Sequence, residues 1–262
     1  MNSITVNEVT KTFPDGTTAL TNVSFTVNPG EGVVLLGHNG SGKSTLFKCI
    51  SGFEKPTTGE IKYGDHDITT LSKRKFRPLR KKVGMVFQDF HLIYNLSVFQ
   101  NVLFGAMGNS KTFVQTLAFC ASDDMRMKAM ECLDRVGLAH LAKRRADQLS
   151  GGQQQRVAIA RMLMQDPEIV LADEPIASLD PRAGREVMEL LWEIVRERKL
   201  TVVCILHQTE IALEYGERFI GLHSGKLVMD QIKGQVSKEE LTTLYNKEST
   251  FESFQKAGAT HE

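Results

Sequence analysis

The chain has 262 residues, 41% of them hydrophobic, which supports a substantial buried core and excludes a disordered chain. Its 32 Lys and Arg against 31 Asp and Glu leave a net charge of +1, which argues against binding to nucleic acid through bulk charge. The four cysteines, Cys49, Cys120, Cys132 and Cys204, have neither the density of a disulfide framework nor the spacing of a zinc site.

Met1–Thr5 lack the basic start and apolar run of a secretory signal. The longest apolar stretches, such as Val33–Leu36 and Val202–Leu206, are strand-sized, far below the roughly 18–20 residues that cross a bilayer. A soluble cytosolic protein is therefore expected. Ile4–Val9 reads as a strand, Pro14-Asp15-Gly16 as a turn, Thr21–Val27 as an alternating strand and Asn28-Pro29-Gly30 as a second turn. Val33–Leu36 has the form of a strand buried on both faces. Lys73-Arg74-Lys75, Arg77 and Arg80-Lys81-Lys82 read as the solvated face of a short helix interrupted by Pro78, and Lys143-Arg144-Arg145 as another solvated face. Helical periods dominate from about Asp89 to Gln148. There Ala129, Met130, Leu133 and Val136 make one face, Gly137 is a stop, and Met125, Met127 and Met130 are expected to fill the helix packing. Ile169–Ala172 and Thr201–Leu206 are further apolar runs, and Arg182–Glu197 between them carries a helical stripe from Val187 to Val195. Strand, helix, strand in that order indicates an α/β core with parallel pairing. Ser237 and Glu240 have the spacing of a capping box for a last helix, and beyond about Phe251 a frayed polar tail is expected.

Three motifs carry chemistry. Gly37-His38-Asn39-Gly40-Ser41-Gly42-Lys43-Ser44 has the spacing of a phosphate-binding loop, with a strand before it and a helical run after it. Its glycines let backbone N–H groups turn toward anionic oxygens, Lys43 adds a point charge, and the Ser44 hydroxyl suits Mg²⁺. Ile169–Ala172 then ends in Asp173 and Glu174, placing carboxylates at the C-terminal end of a strand. Asp173 suits Mg²⁺ and Glu174 suits a general base acting on water. Finally, Leu149-Ser150-Gly151-Gly152-Gln153 opens a helix with Ser150 as N-cap and two glycines that leave backbone amides open to an anion. One solution is that this second start takes the γ-phosphate of a nucleotide held by another copy; the alternative is a Gly-Gly hinge before an ordinary helix.

With GHNGSGKST, LSGGQ, LADEP, Ser178-Leu179-Asp180 and a lone His207 after a strand in this order, the sequence resembles the ATP-binding cassette ATPases from about Ile4 to Val228. The resemblance implies an α/β P-loop NTPase (RecA-like) core with an N-terminal antiparallel β subdomain and an inserted α-helical subdomain. It places the nucleotide-binding domain at 1–232, the helical subdomain at 89–160, and a C-terminal helix and tail at 233–262. ATP and Mg²⁺ are the implied cofactors. The nucleotide falls to Gly37, Asn39, Gly40, Ser41, Gly42, Lys43, Ser44 and Thr45, and the metal to Ser44, Gln88 and Asp173. Catalysis falls to Glu174, His207 and Gln88, with His207 on the γ-phosphate and Gln88 also linking to the membrane partner. Phe13 stands where an aromatic, more commonly tyrosine, stacks on adenine. Ser150, Gly151, Gly152, Gln153 and Asp180 would act across a head-to-tail pair of copies.

Phe87–Ile93, Leu96-Ser97-Val98, Asn101–Ala106, the longer segment Asn109–Ser122, Gln153–Ile159, Pro175–Pro181 and Leu206-His207-Gln208 look like the phosphonate-import ATPases in particular. That resemblance implies a subunit at the cytoplasmic face of the cell membrane, coupling ATP hydrolysis to uptake of phosphonate, phosphite or a related phosphorus oxyanion. Its partners would be a second copy, transmembrane permease subunits and, indirectly, a periplasmic-type solute-binding protein, with no nucleic acid. Phe90–Ile93 is expected to be an exposed apolar segment that meets the permease. The alternatives are import of another small solute such as an amino acid, or a cassette ATPase in repair or in a phosphonate-degrading assembly. A regulatory nucleotide-binding module with little turnover is a third reading. Repair relatives carry long coiled coils, and no sustained heptads occur here.

Overall fold

A computed structural model describes residues 3–110 and 113–245. The chain forms two compact units, one from Met1–Phe76 with Arg198–Glu262 and the other from Arg77–Glu197. Lys111 and Thr112 of the longer segment, and the tail expected to fray, lie outside the described residues.

In the first unit β1 (Ile4–Thr12) pairs antiparallel with β2 (Thr18–Val27) and with β4 (Thr58–Tyr63), which continues to β5 (His66–Asp67). Alternation buries Ile4 and Val6. The step from Val6 to Val9 would change faces, but the register shifts there, with Glu8 at φ 49°, and Val9 is fully buried. β3 (Gly32–Leu36) is buried along its whole length, as its continuous apolar run requires. It lies parallel to β8 (Thr201–Ile205) on one side and β9 (Arg218–His223) on the other, and β9 turns back into β10 (Lys226–Ile232). Arg218 ties this layer together, donating to Asp230 at 2.6 and 2.7 Å, to Glu31 at 3.1 Å and to the Thr26 carbonyl at 2.8 Å. The Asp230 carboxylate, then Glu31, holds its guanidinium above the ordinary arginine range despite partial desolvation. α1 (Lys43–Ile50) follows β3. α2 (Lys73–Arg80) runs through Pro78 without the expected break, because a proline in the second turn removes only one helical hydrogen bond. α7 (Thr209–Tyr215) and α8 (Lys238–Tyr245) complete the unit. The capping box of α8 forms as expected: Glu240 N donates to Ser237 Oγ at 3.1 Å and Ser237 N to Glu240 Oε2 at 2.7 Å.

In the second unit β6 (Val83–Phe87) runs parallel to β7 (Ile169–Asp173), with Phe87 opposite Asp173. α3 (Val98–Leu103), α4 (Asp123–Arg135) and α5 (Gly151–Met164) pack on one another, and α6 (Pro181–Arg198) follows β7. On α4 the buried side is Ala129, Cys132 and Leu133, and Gly137 beyond it adopts φ 74°, the left-handed turn that stops the helix. Met127 and Met130 are exposed, 57% and 37%, not packed inside. They share a helix side three residues apart, and that side faces away from the Ala129–Leu133 contact. Asn101, fully buried, accepts from Ile93 N at 2.8 Å and donates to Ile93 O and Ser97 O at 3.0 Å each. It thereby satisfies both backbone groups of one residue in a loop. Asn101→Ala strands those groups, and the expected cost is about 2 kcal/mol in urea unfolding.

Candidate functional site

The loop Gly37–Gly42 joins β3 to α1 in the first unit, and its backbone explains its glycines. A Cβ on Gly37 would stand 2.2 Å from Leu222 O, and one on Gly42 would stand 2.6 Å from Ala19 O. Gly40 has open space around it, and its φ of 85° is what favours glycine there. The loop is braced from behind: Gly225 N donates to Ser41 O at 2.9 Å, and Thr21 N to Gly225 O at 2.8 Å. Gly42 caps α1 in the left-handed region with no side-chain cap, so the first amides of the helix are left to an outside acceptor. Lys43 is buried, its ammonium donating to Gly37 O at 2.7 Å and His38 O at 3.0 Å. Ser41 Oγ is buried with no hydrogen bond among the described residues, while Ser44 and Asn39 are exposed and Thr45 half-buried. Glycine-dependent backbone leading into the uncapped start of α1, with a buried ammonium beside it, has the chemistry to receive a polyphosphate.

Two other residues expected in this site belong to the same unit. Phe13 follows β1, half-buried, with Lys11 Nζ 5.1 Å from its ring centre and Lys11 paired to Glu54 at 2.6 Å. His207 is half-buried just beyond β8, after Leu206, whose carbonyl accepts from the Tyr245 hydroxyl at 3.1 Å.

The second unit brings the remaining residues to the ends of β6, β7 and α5. Asp173 and Glu174 are half-buried where β7 ends, and Glu174 takes φ 48°, a left-handed backbone costly for a non-glycine residue. Gln88 is exposed just past β6, and its carbonyl accepts from Ser178 Oγ at 3.2 Å. Asp180 caps α6, its Oδ1 accepting from Ala183 N at 3.0 Å, with Pro181 at the first helical position. Ser150 and Gln153 form a full capping box on α5, Gln153 N donating to Ser150 Oγ at 3.4 Å and Ser150 N to Gln153 Oε1 at 3.0 Å. Ser150→Ala is expected to cost about 1 kcal/mol in stability. A loss of ATP turnover larger than that stability change, measured on the same preparation, separates an anion-binding role from a purely structural cap.

The segment after Gln88 differs from the expected exposed apolar strip. Phe90 and Leu92 are buried, and the exposed apolar side chains are Ile93 and its neighbour Tyr94. Phe90 and His91 both adopt left-handed φ, 56° and 49°, which reverses the direction of the side chains there. Arg161 on α5 donates to Phe90 O at 2.8 Å and also to His91 O, and burial lowers the pKa of its guanidinium. Gln155, also on α5 and fully buried, donates to Pro175 O at 2.5 Å and Phe87 O at 3.2 Å. Neither Arg161 nor Gln155 stands out by residue type. The signal for Gln155 is its place at the core-facing spacing with Ala158, Ile159 and Met162, where a polar side chain needs a buried partner.

A family model described as ABC transporter matches residues 20–177. The chain is 47% identical over 244 residues to the Phosphonates import ATP-binding protein PhnC of Frankia casuarinae, covering 93% of this chain and 96% of that one. It is 46% identical over 244 residues to the Phosphate-import ATP-binding protein PhnC of Mycolicibacterium smegmatis, covering 93% and 92%. Among solved structures, it resembles the dimeric ATP-binding cassette MJ0796 bound to ADP and Pi, with a TM-score of 0.76, 36% identity, and 87% and 98% of the two chains covered. It also resembles cbiO1 from Clostridium perfringens, part of the ABC transporter complex cbiONQ, with a TM-score of 0.80, 33% identity and 92% of each chain covered.

Proposed function

Because the chain belongs to the ABC transporter family, we propose that it is the ATP-hydrolysing subunit of an importer for phosphonate, phosphite or a related phosphorus oxyanion. The observation that carries the ATP-hydrolysing part is the presence of two glycine-rich helix starts, Gly42 before α1 and Ser150-Gly151-Gly152 before α5, of which only the first has a lysine. The solute class is carried by the likeness to the phosphonate- and phosphate-import proteins. One copy binds a nucleotide through Lys43 and the amides of Gly37–Thr45, and Ser150, Gly151 and Gly152 of a second copy take its γ-phosphate. Asp180 belongs to the same junction, and Phe13 meets the adenine.

The residues present fit Mg²⁺. The Ser44 hydroxyl is exposed in the first turn of α1, a hard oxygen donor of the kind taken by an ion that draws most of its ligands from water and phosphate. The Ser44 hydroxyl would supply it one oxygen, and Asp173 and Gln88 offer a carboxylate and an amide of the kind it takes; when bound it would neutralise charge on the phosphate oxygens. Glu174 accepts a proton from the attacking water at its carboxylate, and His207 donates a hydrogen bond to the γ-phosphate. No helix among the described residues is long and apolar enough to cross a membrane. In an importer of this family, passage of a solute would belong to permease subunits, met at the cytoplasmic face of the membrane through Gln88 and the exposed Ile93 and Tyr94. A solute-binding protein outside would select the cargo.

The relative named for phosphate import supports a second reading of the solute, inorganic phosphate, by the same chemistry. The test is ATP turnover of the chain reconstituted in vesicles with its permease and binding protein. Stimulation by phosphonate, phosphite or phosphate and not by amino acids is expected, and stimulation by amino acids alone overturns the assignment.

A further inference from the structure

Gln155 joins three parts of the second unit that the proposed chemistry uses separately. Its amide nitrogen carries two hydrogens, and each has an acceptor: Phe87 O, immediately before Gln88, and Pro175 O, immediately after Glu174. Its own backbone belongs to α5, one turn beyond the Ser150-Gly151-Gly152 start. The amide oxygen, Oε1, is buried with no hydrogen bond among the described residues. The orientation of the amide is thus set by the two carbonyls, since the flipped form would point Oε1 at two other oxygens. An orphan acceptor at a fully buried site is uncommon, and here it accompanies a bond to each of two strand ends. The same helix holds the far side of the Gln88 segment through Arg161, which donates to the carbonyls of Phe90 and His91, both in left-handed conformation. Gln88 is therefore bracketed, front and back, by side chains of α5.

We infer that Gln155 is a positioning residue for ATP hydrolysis, one that fixes the ends of β6 and β7 to α5 and so sets Gln88 and Glu174 in register with the Ser150-Gly151-Gly152 start. It acts through the two backbone carbonyls, Phe87 O and Pro175 O. The spacing of β6 and β7 alone does not secure this register. Their ladder ends at the pair Phe87 and Asp173, and Gln88 and Glu174 lie one residue beyond it.

The inference rests on the ATPase reading, and the test keeps the two apart. Full-length wild type, Glu174→Gln, Gln155→Leu and Gln155→Met are compared in steady-state ATP turnover and in equilibrium binding of a fluorescent ATP analogue. Gln155→Leu and Gln155→Met keep the side-chain bulk and remove both hydrogens. A positioning role gives at least a tenfold fall in kcat, with KM and analogue Kd within threefold of wild type. Turnover is divided by nucleotide sites titrated in the same preparation, so a lower yield of folded chain does not imitate the effect. A kcat per site within twofold of wild type for both variants overturns the inference while leaving the ATPase reading in place. Parallel losses of kcat and affinity also overturn it, because they indicate general disruption. Wild type without turnover overturns the ATPase reading itself.

Discussion

Lys43→Ala is expected to lower the affinity for Mg-ATP by about 100-fold or more, since charge-assisted hydrogen bonds to phosphate contribute about 1.5–3 kcal/mol each. The ammonium is buried and held by Gly37 O and His38 O at the mouth of α1. Alanine removes that charge together with its hydrogen bonds to Gly37 O and His38 O, while every glycine of the loop stays in place. Lys43→Arg is not expected to rescue binding, because a planar guanidinium replaces a compact ammonium in a buried space. Isothermal titration checks both variants. Near-normal affinity in Lys43→Ala removes the loop from the nucleotide site.

Glu174→Gln is expected to keep ATP binding within a few-fold of wild type and to lower kcat by about 10³, within the range that a general base contributes. The substitution is nearly isosteric, and glutamine accepts the same left-handed backbone, φ 48°, that the end of β7 imposes. What is lost is the carboxylate that takes a proton from water. Single-turnover hydrolysis measures this step directly, and full hydrolysis by the variant assigns the base elsewhere.

Much of this arrangement was legible in the chain itself, because its strongest signals are local. β3 announces itself as four apolar residues, and the glycines of Gly37–Gly42 sit where bond geometry admits little else. The caps at Ser150 and Ser237 follow from residues only three apart. What was not legible depends on partners far along the chain. Gln155 reaches carbonyls 68 and 20 residues away, and Arg161 reaches backbone 70 residues away. Periodicity registers such residues only as polar interruptions of an apolar face. Met127 and Met130 show the converse error: their apolar character indicates burial, but the packing of α4 turns that side outward. At Phe90 and His91 the difficulty is the backbone, since a left-handed pair of non-glycine residues is not foreseeable from residue type and inverts which neighbours are exposed.

The proposed hydrolysis depends on a nucleotide that joins two copies, each laying its α5 start against the nucleotide held by the other. Light scattering on Glu174→Gln measures this most directly, with ATP, with ADP and without nucleotide. A particle of twice the mass of one chain is expected with ATP, and single chains in the other two conditions. Single chains at saturating ATP, in a preparation shown to bind it, would mean that the nucleotide does not join two copies.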